Sequence, residues 1–267
     1  MSLATMCGRL QRTSNQLGWG LNNDIVQQVK EMFEESVTLP GGSSLAQQIG
    51  NLQKLLRTMP VDKYICLQSG WTTPDGGHAI TVNFHKTSST EVSLIVINSG
   101  QGVGAHPSRE CSWALGTGGL RLAMRFDGIP LARATDEVGL WMLLKQQASA
   151  STDHKPFAFY QIYLPYVLNK SIPDALAPTF KHGHDAKAGD WMKAQRAGTC
   201  YFRGNLATLK YYARMRGMER GECKRFVLML RLQYMLSLQE EMRLMVRQPA
   251  GLFMWPSDRD LVQMGIH

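Results

Sequence analysis

No run of eighteen apolar residues occurs in this 267-residue chain, so hydropathy offers no transmembrane helix. The first twenty residues carry Arg9, Arg12 and Asn15 and have no apolar core, which is unlike a secretory signal. Cysteine is sparse. There are five (Cys7, Cys66, Cys111, Cys200 and Cys223), widely spaced and without a CxxC pair. An odd number at such spacing excludes a disulfide framework and a zinc ribbon. Free thiols fit a reducing compartment, so a cytoplasmic location is expected, host cytosol if the protein is a delivered effector. Internal repeats and low-complexity tracts are absent. No RNP, zinc-finger or helix-turn-helix signature accompanies the basic residues between Lys193 and Arg247, so nucleic acid is not the expected partner despite a net charge of +8. Neither is a membrane.

What is present describes a globular protein. Hydrophobic residues make up 44% and charged residues 19%, enough for one core, or a core with a smaller lobe. Residues 1–60 read as helical. Asn23 or Asp24 caps a helix through Val37, and Ser43 or Ser44 caps another carrying Leu45, Ile49, Leu52, Leu55 and Leu56. The period then changes. Tyr64–Leu67 reads as a short strand, 69–77 as a turn, and His78–Phe84 and Val92–Ile97 as an antiparallel hairpin with its tip near 86–90. A glycine-rich loop, Ser99–Gly104, follows. Leu120–Phe126 is a further strand, and helices return from Thr135. Phe157–Leu168 is aromatic and ambiguous. A helix follows Cys200, and a last one spans about 222–247. The expected class is α+β: a small, mostly antiparallel sheet packed against helices. The expected organisation is an N-terminal helical region, 1–60, that is a candidate binding lobe, and a catalytic domain, 61–267.

Two segments carry chemistry. In Gln195-Arg-Ala-Gly-Thr-Cys200, Gly198 permits a tight turn before the cysteine. Leu206, Leu209, Tyr212 and Ala213 then recur at helical spacing. Cys200 therefore sits at a helix start, where unpaired N–H groups and the helix dipole favour a thiolate. Gln195 can fold back across the turn and donate to an oxyanion. The competing reading of Cys200 is a buried core cysteine. In the second segment His78 follows Gly76-Gly77 and opens a strand, and the next strand ends at Asn98. The hairpin brings positions 78 and 98 approximately opposite, so Asn98 can orient the His78 ring; alternatively it only caps the turn. His106 is the competing base. His182, His184 and Asp185 form half of a metal site without a clear third ligand, so no metal and no cofactor are expected.

A His at a strand start, an amide or acidic partner about twenty residues on, then a Gln and a Cys at a helix start resembles the ubiquitin-like protease superfamily. That group includes SUMO-specific, adenoviral and bacterial effector deubiquitinating proteases, and the YopJ-type acetyltransferases resemble it. The resemblance covers Gly76–Gly102 and Gln195 to about Leu209. Ala79 stands where the superfamily often has Trp, and Asn98 where Asp is usual. It implies His78 as base, Asn98 as its orienting partner, Gln195 as oxyanion donor and Cys200 as nucleophile. The activity implied is a cysteine protease or isopeptidase acting after the C-terminal tail of ubiquitin or a ubiquitin-like protein. Trp71 with Gly76 and Gly77 would line a channel for that tail, Trp71 being equally readable as a core residue. A YopJ-like acetyltransferase using the same Cys/His pair and a non-catalytic interaction module are the alternatives.

Overall fold

The computed structural model describes residues 3–17, 21–34, 44–73, 76–109, 119–148, 155–176, 191–192 and 200–247. The fold is α+β, and the chain divides into two compact units, one of residues 1–34 with 212–267 and the other of 35–211. This division departs from the boundary expected near residue 60. The helix at 45–58 belongs with the sheet, and the last helix belongs with the N-terminal ones.

The sheet-bearing unit is built on a four-stranded antiparallel meander: β1 (Tyr64–Thr73), β2 (Gly76–Lys86), β3 (Glu91–Ile97) and β6 (Ala123–Pro130), in that order. The strands β4 (Ser108–Arg109), β5 (Gly119–Arg121) and β7 (Trp191–Met192) form a second, three-stranded sheet. β3 lies between two partners, and every residue from Val92 to Ile97 is buried. That is why its sequence, apart from Ser93, is apolar on both faces rather than alternating. Two expectations shift. The stretch 69–77 is not all turn: β1 continues to Thr73, so Trp71 is a strand residue paired with His78. The expected strand Leu120–Phe126 is two strands in two sheets, parting at Leu122.

Helices of the sheet unit frame this meander. Ser44 caps α3 (Leu45–Thr58) through a capping box, its hydroxyl accepting from Gln47 N–H and Gln47 Oε1 from the Ser44 N–H. α3 packs on α4 (Glu137–Ala148), which packs on β1. The ambiguous segment 155–168 is helical, with a π-helical stretch at Ala158–Tyr163 closed by an i→i+5 bond from Leu164 N–H to the Phe159 carbonyl. Pro165 supplies the reason. It has no N–H, and its ring clashes with the carbonyl four residues earlier, so the preceding turn widens. Phe159, Tyr160, Tyr163 and Leu164 all face the interior.

Another helix starts at Cys200 and runs to Met215, the unit boundary falling near its end. Leu206 and Leu209 are buried, as the apolar spacing predicts. Three polar residues at a helical spacing, Asn205, Thr208 and Tyr211, also reach the sheet. Asn205 Oδ1 accepts from Gln68 Nε2 at 2.7 Å. Thr208 donates to its own helix at Gly204 O, so in its 2.6 Å contact with Thr81 it is the acceptor. Tyr211 OH accepts from Arg125 Nη1 at 3.4 Å. Hydroxyl and amide pairs have directional geometry that apolar contact lacks, so these pins fix the axial position of the helix and with it the sulfur at its start.

In the other unit α1 (Leu3–Leu17) packs on α2 (Asn23–Glu34) and on the last helix, Arg220–Arg247. Cys7, Leu10, Val26, Val29, Cys223, Phe226 and Leu230 fill that core.

Candidate active site

β2 extends beyond the end of β3. Ile97, the last residue of β3, pairs with Thr81, so residues 76–80 project past the neighbouring strand. Their N–H groups on that side are open to other partners. One of them, Ala79 N–H, donates to Cys200 Sγ at 3.4 Å. The Tyr201 N–H, at the first turn of the helix, also points to the sulfur, and the His78 ring hydrogen-bonds to it. These hydrogen bonds outweigh the partial burial of Cys200, and its thiol pKa falls to about 7. The largest of them is the bond with His78.

The His78 ring is held on its far side by Asn98. Its Nε2 lies 2.7 Å from Asn98 Oδ1. The amide orientation follows from main-chain groups whose roles are fixed. Asn98 Nδ2 donates to the Gln101 carbonyl at 2.7 Å, and the Gly100 N–H donates to Oδ1 at 2.9 Å. A carbonyl only accepts and an N–H only donates. Oδ1 therefore faces His78 as an acceptor, and Nε2 carries the proton. Neutral His78 then has Nδ1 as its lone-pair nitrogen, the one left for the thiol. Cys200 S–H to His78 to Asn98 is an ordered base arrangement, not merely a cluster.

Packing sets the ring plane. The hairpin register places His78 two positions from the expected pairing, level with Gly100 rather than Asn98. A Cβ on Gly100 would lie 2.5 Å from His78 Cε1, so only glycine leaves room for the ring there. Trp71 sits across β1–β2 from His78, with ring centroids 5.2 Å apart. Trp71 is 2% exposed and donates from Nε1 to Gln101 Oε1 at 2.7 Å. Its place is behind the histidine, as a wall and as a clasp on the loop that presents Asn98. It is not an open channel lining, which corrects the expected substrate contact. Gly77 is exposed beside the site, and Gly76 pairs with Thr73 at the hairpin turn.

The competing base is eliminated by its surroundings. His106 is buried, with Nδ1 on the Arg121 carbonyl and Nε2 on Tyr160 OH. Gln195 lies outside the described residues, as do His182, His184 and Asp185. Among the described residues no group of three His, Cys, Asp or Glu is placed to hold a metal, and no helix is long and apolar enough to cross a membrane. Sequence reasoning missed Gly100, Gln101, Tyr160 and the Ala79 N–H. The glycine-rich loop was the available signal for the first two. The aromatic run at 157–168 held the third without a pattern to single it out.

No protein-family model matches this sequence, and no curated protein is significantly similar to it.

Proposed function

We propose that this protein is a cysteine hydrolase of peptide or isopeptide bonds, with Cys200 as nucleophile, His78 as base and Asn98 as the residue that orients it. The observation that carries the reading is the ordered hydrogen-bond series through Cys200, His78 and Asn98, with the Cys200 thiol near neutrality. His78 Nδ1 takes the thiol proton, and the sulfur attacks the carbonyl carbon to form a C–S bond. The carbonyl oxygen becomes an oxyanion, which Gln195 and main-chain N–H groups at the helix start would receive. Protonated His78 passes its proton to the amine as the C–N bond breaks. Water then attacks the thioester, His78 accepts its proton, and the thiolate leaves.

Magnitudes show what the lowered pKa contributes. An ordinary thiol is only a few per cent thiolate at pH 7, and a pKa near 7 makes it about half. Lower basicity costs nucleophilicity with a Brønsted slope of about 0.4–0.5, so the net gain is only about threefold. The larger part must come from the positioned base and the oxyanion donors, each worth roughly 10²–10⁴-fold. This is why the ordered His78 supports the reading more than the pKa does.

The substrate class rests on the resemblance to ubiquitin-like proteases, which favours the tail of ubiquitin or a relative as substrate, in the cytoplasm. The experiment uses ubiquitin and SUMO carrying a C-terminal electrophile. One of them should label the protein at a single site, and Cys200→Ala should remove that label. Labelling that survives the substitution would overturn the nucleophile assignment. Acetyl-CoA dependence would favour the acetyltransferase, and an ordinary thiol pKa at Cys200 the non-catalytic module.

A further inference from the structure

The hydrogen bonds that orient His78 do not end at Asn98. Asn98 Nδ2 also donates to Tyr160 OH at 2.9 Å. Tyr160 OH lies 2.9 Å from His106 Nε2, and His106 Nδ1 lies 2.8 Å from the Arg121 carbonyl. Every group from Asn98 to His106 is buried. The Arg121 carbonyl only accepts, so His106 Nδ1 must carry a proton. Burial keeps His106 neutral at physiological pH, its pKa lowered to about 4, so Nε2 is its acceptor nitrogen. Tyr160 O–H therefore donates to His106 and has its lone pairs free for Asn98. All donors then point one way: Cys200 S–H to His78, His78 Nε2–H to Asn98, Asn98 Nδ2–H to Tyr160, Tyr160 O–H to His106, His106 Nδ1–H to the Arg121 carbonyl.

The fold makes room for this line at two glycines. Gly100 clears the His78 ring, and Gly102, at φ +81°, clears Tyr160, since a Cβ there would lie 2.8 Å from its Cε2. The π-helical turn carries Tyr160, packed edge-on to both Phe159 and His106. A groove, a metal cluster or a second nucleophile is not needed to account for these groups. Their polar atoms are aimed at one another and, through Asn98, at the candidate base.

We propose that Tyr160 and His106 are positioning residues for the Cys200 site, holding Asn98 from behind so that His78 stays in the tautomer that accepts the thiol proton. The inference rests on the hydrolase reading for its purpose, but the direction of the hydrogen bonds is testable without any substrate. Loss of one buried hydrogen bond moves the Cys200 midpoint by at most about one pH unit.

The experiment compares wild type with Tyr160→Phe, and with Tyr163→Phe as a control on the neighbouring buried tyrosine, whose hydroxyl is not in this series. Ring-nitrogen NMR should find His106 of the wild type as the Nδ1–H tautomer at neutral pH. Iodoacetamide alkylation of Cys200 followed against pH should give a midpoint in Tyr160→Phe higher by about half to one unit, moving toward the ordinary thiol value, and a rate at pH 7 lower by roughly two- to fivefold. Tyr163→Phe should match wild type. His106 found as the Nε2–H tautomer would overturn the proposal. So would a Tyr160→Phe midpoint equal to that of wild type in a folded protein. A shifted midpoint in a protein that no ubiquitin-type probe labels would sustain the positioning role and sink the hydrolase reading instead.

Discussion

Cys7 and Cys200 carry the same thiol in different units of the chain, and their surroundings drive them in opposite directions. Cys7 is enclosed by the apolar side chains of the N-terminal helical unit. Burial raises its pKa to about 12, only partly offset by Lys30. Cys200 is half-buried on the sheet unit, and its hydrogen bonds with the His78 ring and the Ala79 and Tyr201 N–H groups lower its pKa to about 7. Burial penalises the charged form at both sites. What differs is whether hydrogen-bonding groups converge on the sulfur. The charge of Lys30 does not compensate for an apolar shell, and a ring nitrogen with two main-chain N–H groups does. Reactive cysteines are thus made by what faces the sulfur, and inert ones by what excludes water.

Breaking this contrast at its strong end should produce the largest effect. Cys200→Ala should lower turnover by about 10⁵–10⁶-fold, the scale for loss of a nucleophile. Cys7→Ala should leave turnover at the wild-type level and lower only the unfolding midpoint in urea. Asn98→Leu comes next. It removes the acceptor for His78 Nε2 and frees the tautomer, which in a comparable triad costs about 10⁴-fold. The kcat/KM against pH profile should lose its neutral plateau. Gly100→Ala places a methyl against the His78 ring, and a displacement of about 1 Å costs roughly 10²-fold. Circular dichroism should be unchanged while kcat falls.

The smallest effect is on stability and concerns a second pair, His78 beside the sulfur and His106 in the core. His106 takes its proton near pH 4 when folded, against an ordinary value of 6.5. Between those values the unfolded chain binds more protons, so stability is full above about pH 6.5 and falls as pH drops toward 4. The loss amounts to on the order of 3 kcal/mol. The groups facing His106 are the Tyr160 hydroxyl and the Arg121 carbonyl, neither of which titrates in that range. Urea unfolding at pH 7 and pH 4.5 should show this acid limb, and His106→Leu should flatten it while lowering stability at pH 7.

The parts of the site legible in the sequence are those with a one-dimensional signature. Val92–Ile97 is rich in β-branched residues because both faces are covered, and its partner strand carries His78 near its start, just after Gly76-Gly77. Cys200 was readable as a helix start from the apolar spacing behind it. Other parts depend on groups that come together only in three dimensions. Trp71 looked like a channel residue because 69–77 reads as turn chemistry, yet pairing with β2 carries the strand through it. Tyr160 had no pattern of its own, since Pro165 imposes a turn with a different period. His106 resembled a base because a glycine-rich loop precedes it. The same glycines in fact open space for the His78 and Tyr160 rings. Asn205 and Thr208 fall between the apolar positions of their helix, and what pins it to Gln68 and Thr81 is partners from distant strands. The domain boundary was misplaced for a similar reason. Helices far apart in sequence share one core, and no local composition marks that.

Residue-resolved alkylation of the native wild-type protein across pH 5–10, read by mass spectrometry, tests the central contrast most directly. Cys200 should react with a midpoint near pH 7, while Cys7 stays unmodified until the chain is unfolded. A Cys200 midpoint at the ordinary thiol value near 8.5, or equal reactivity of the two cysteines, would contradict the account.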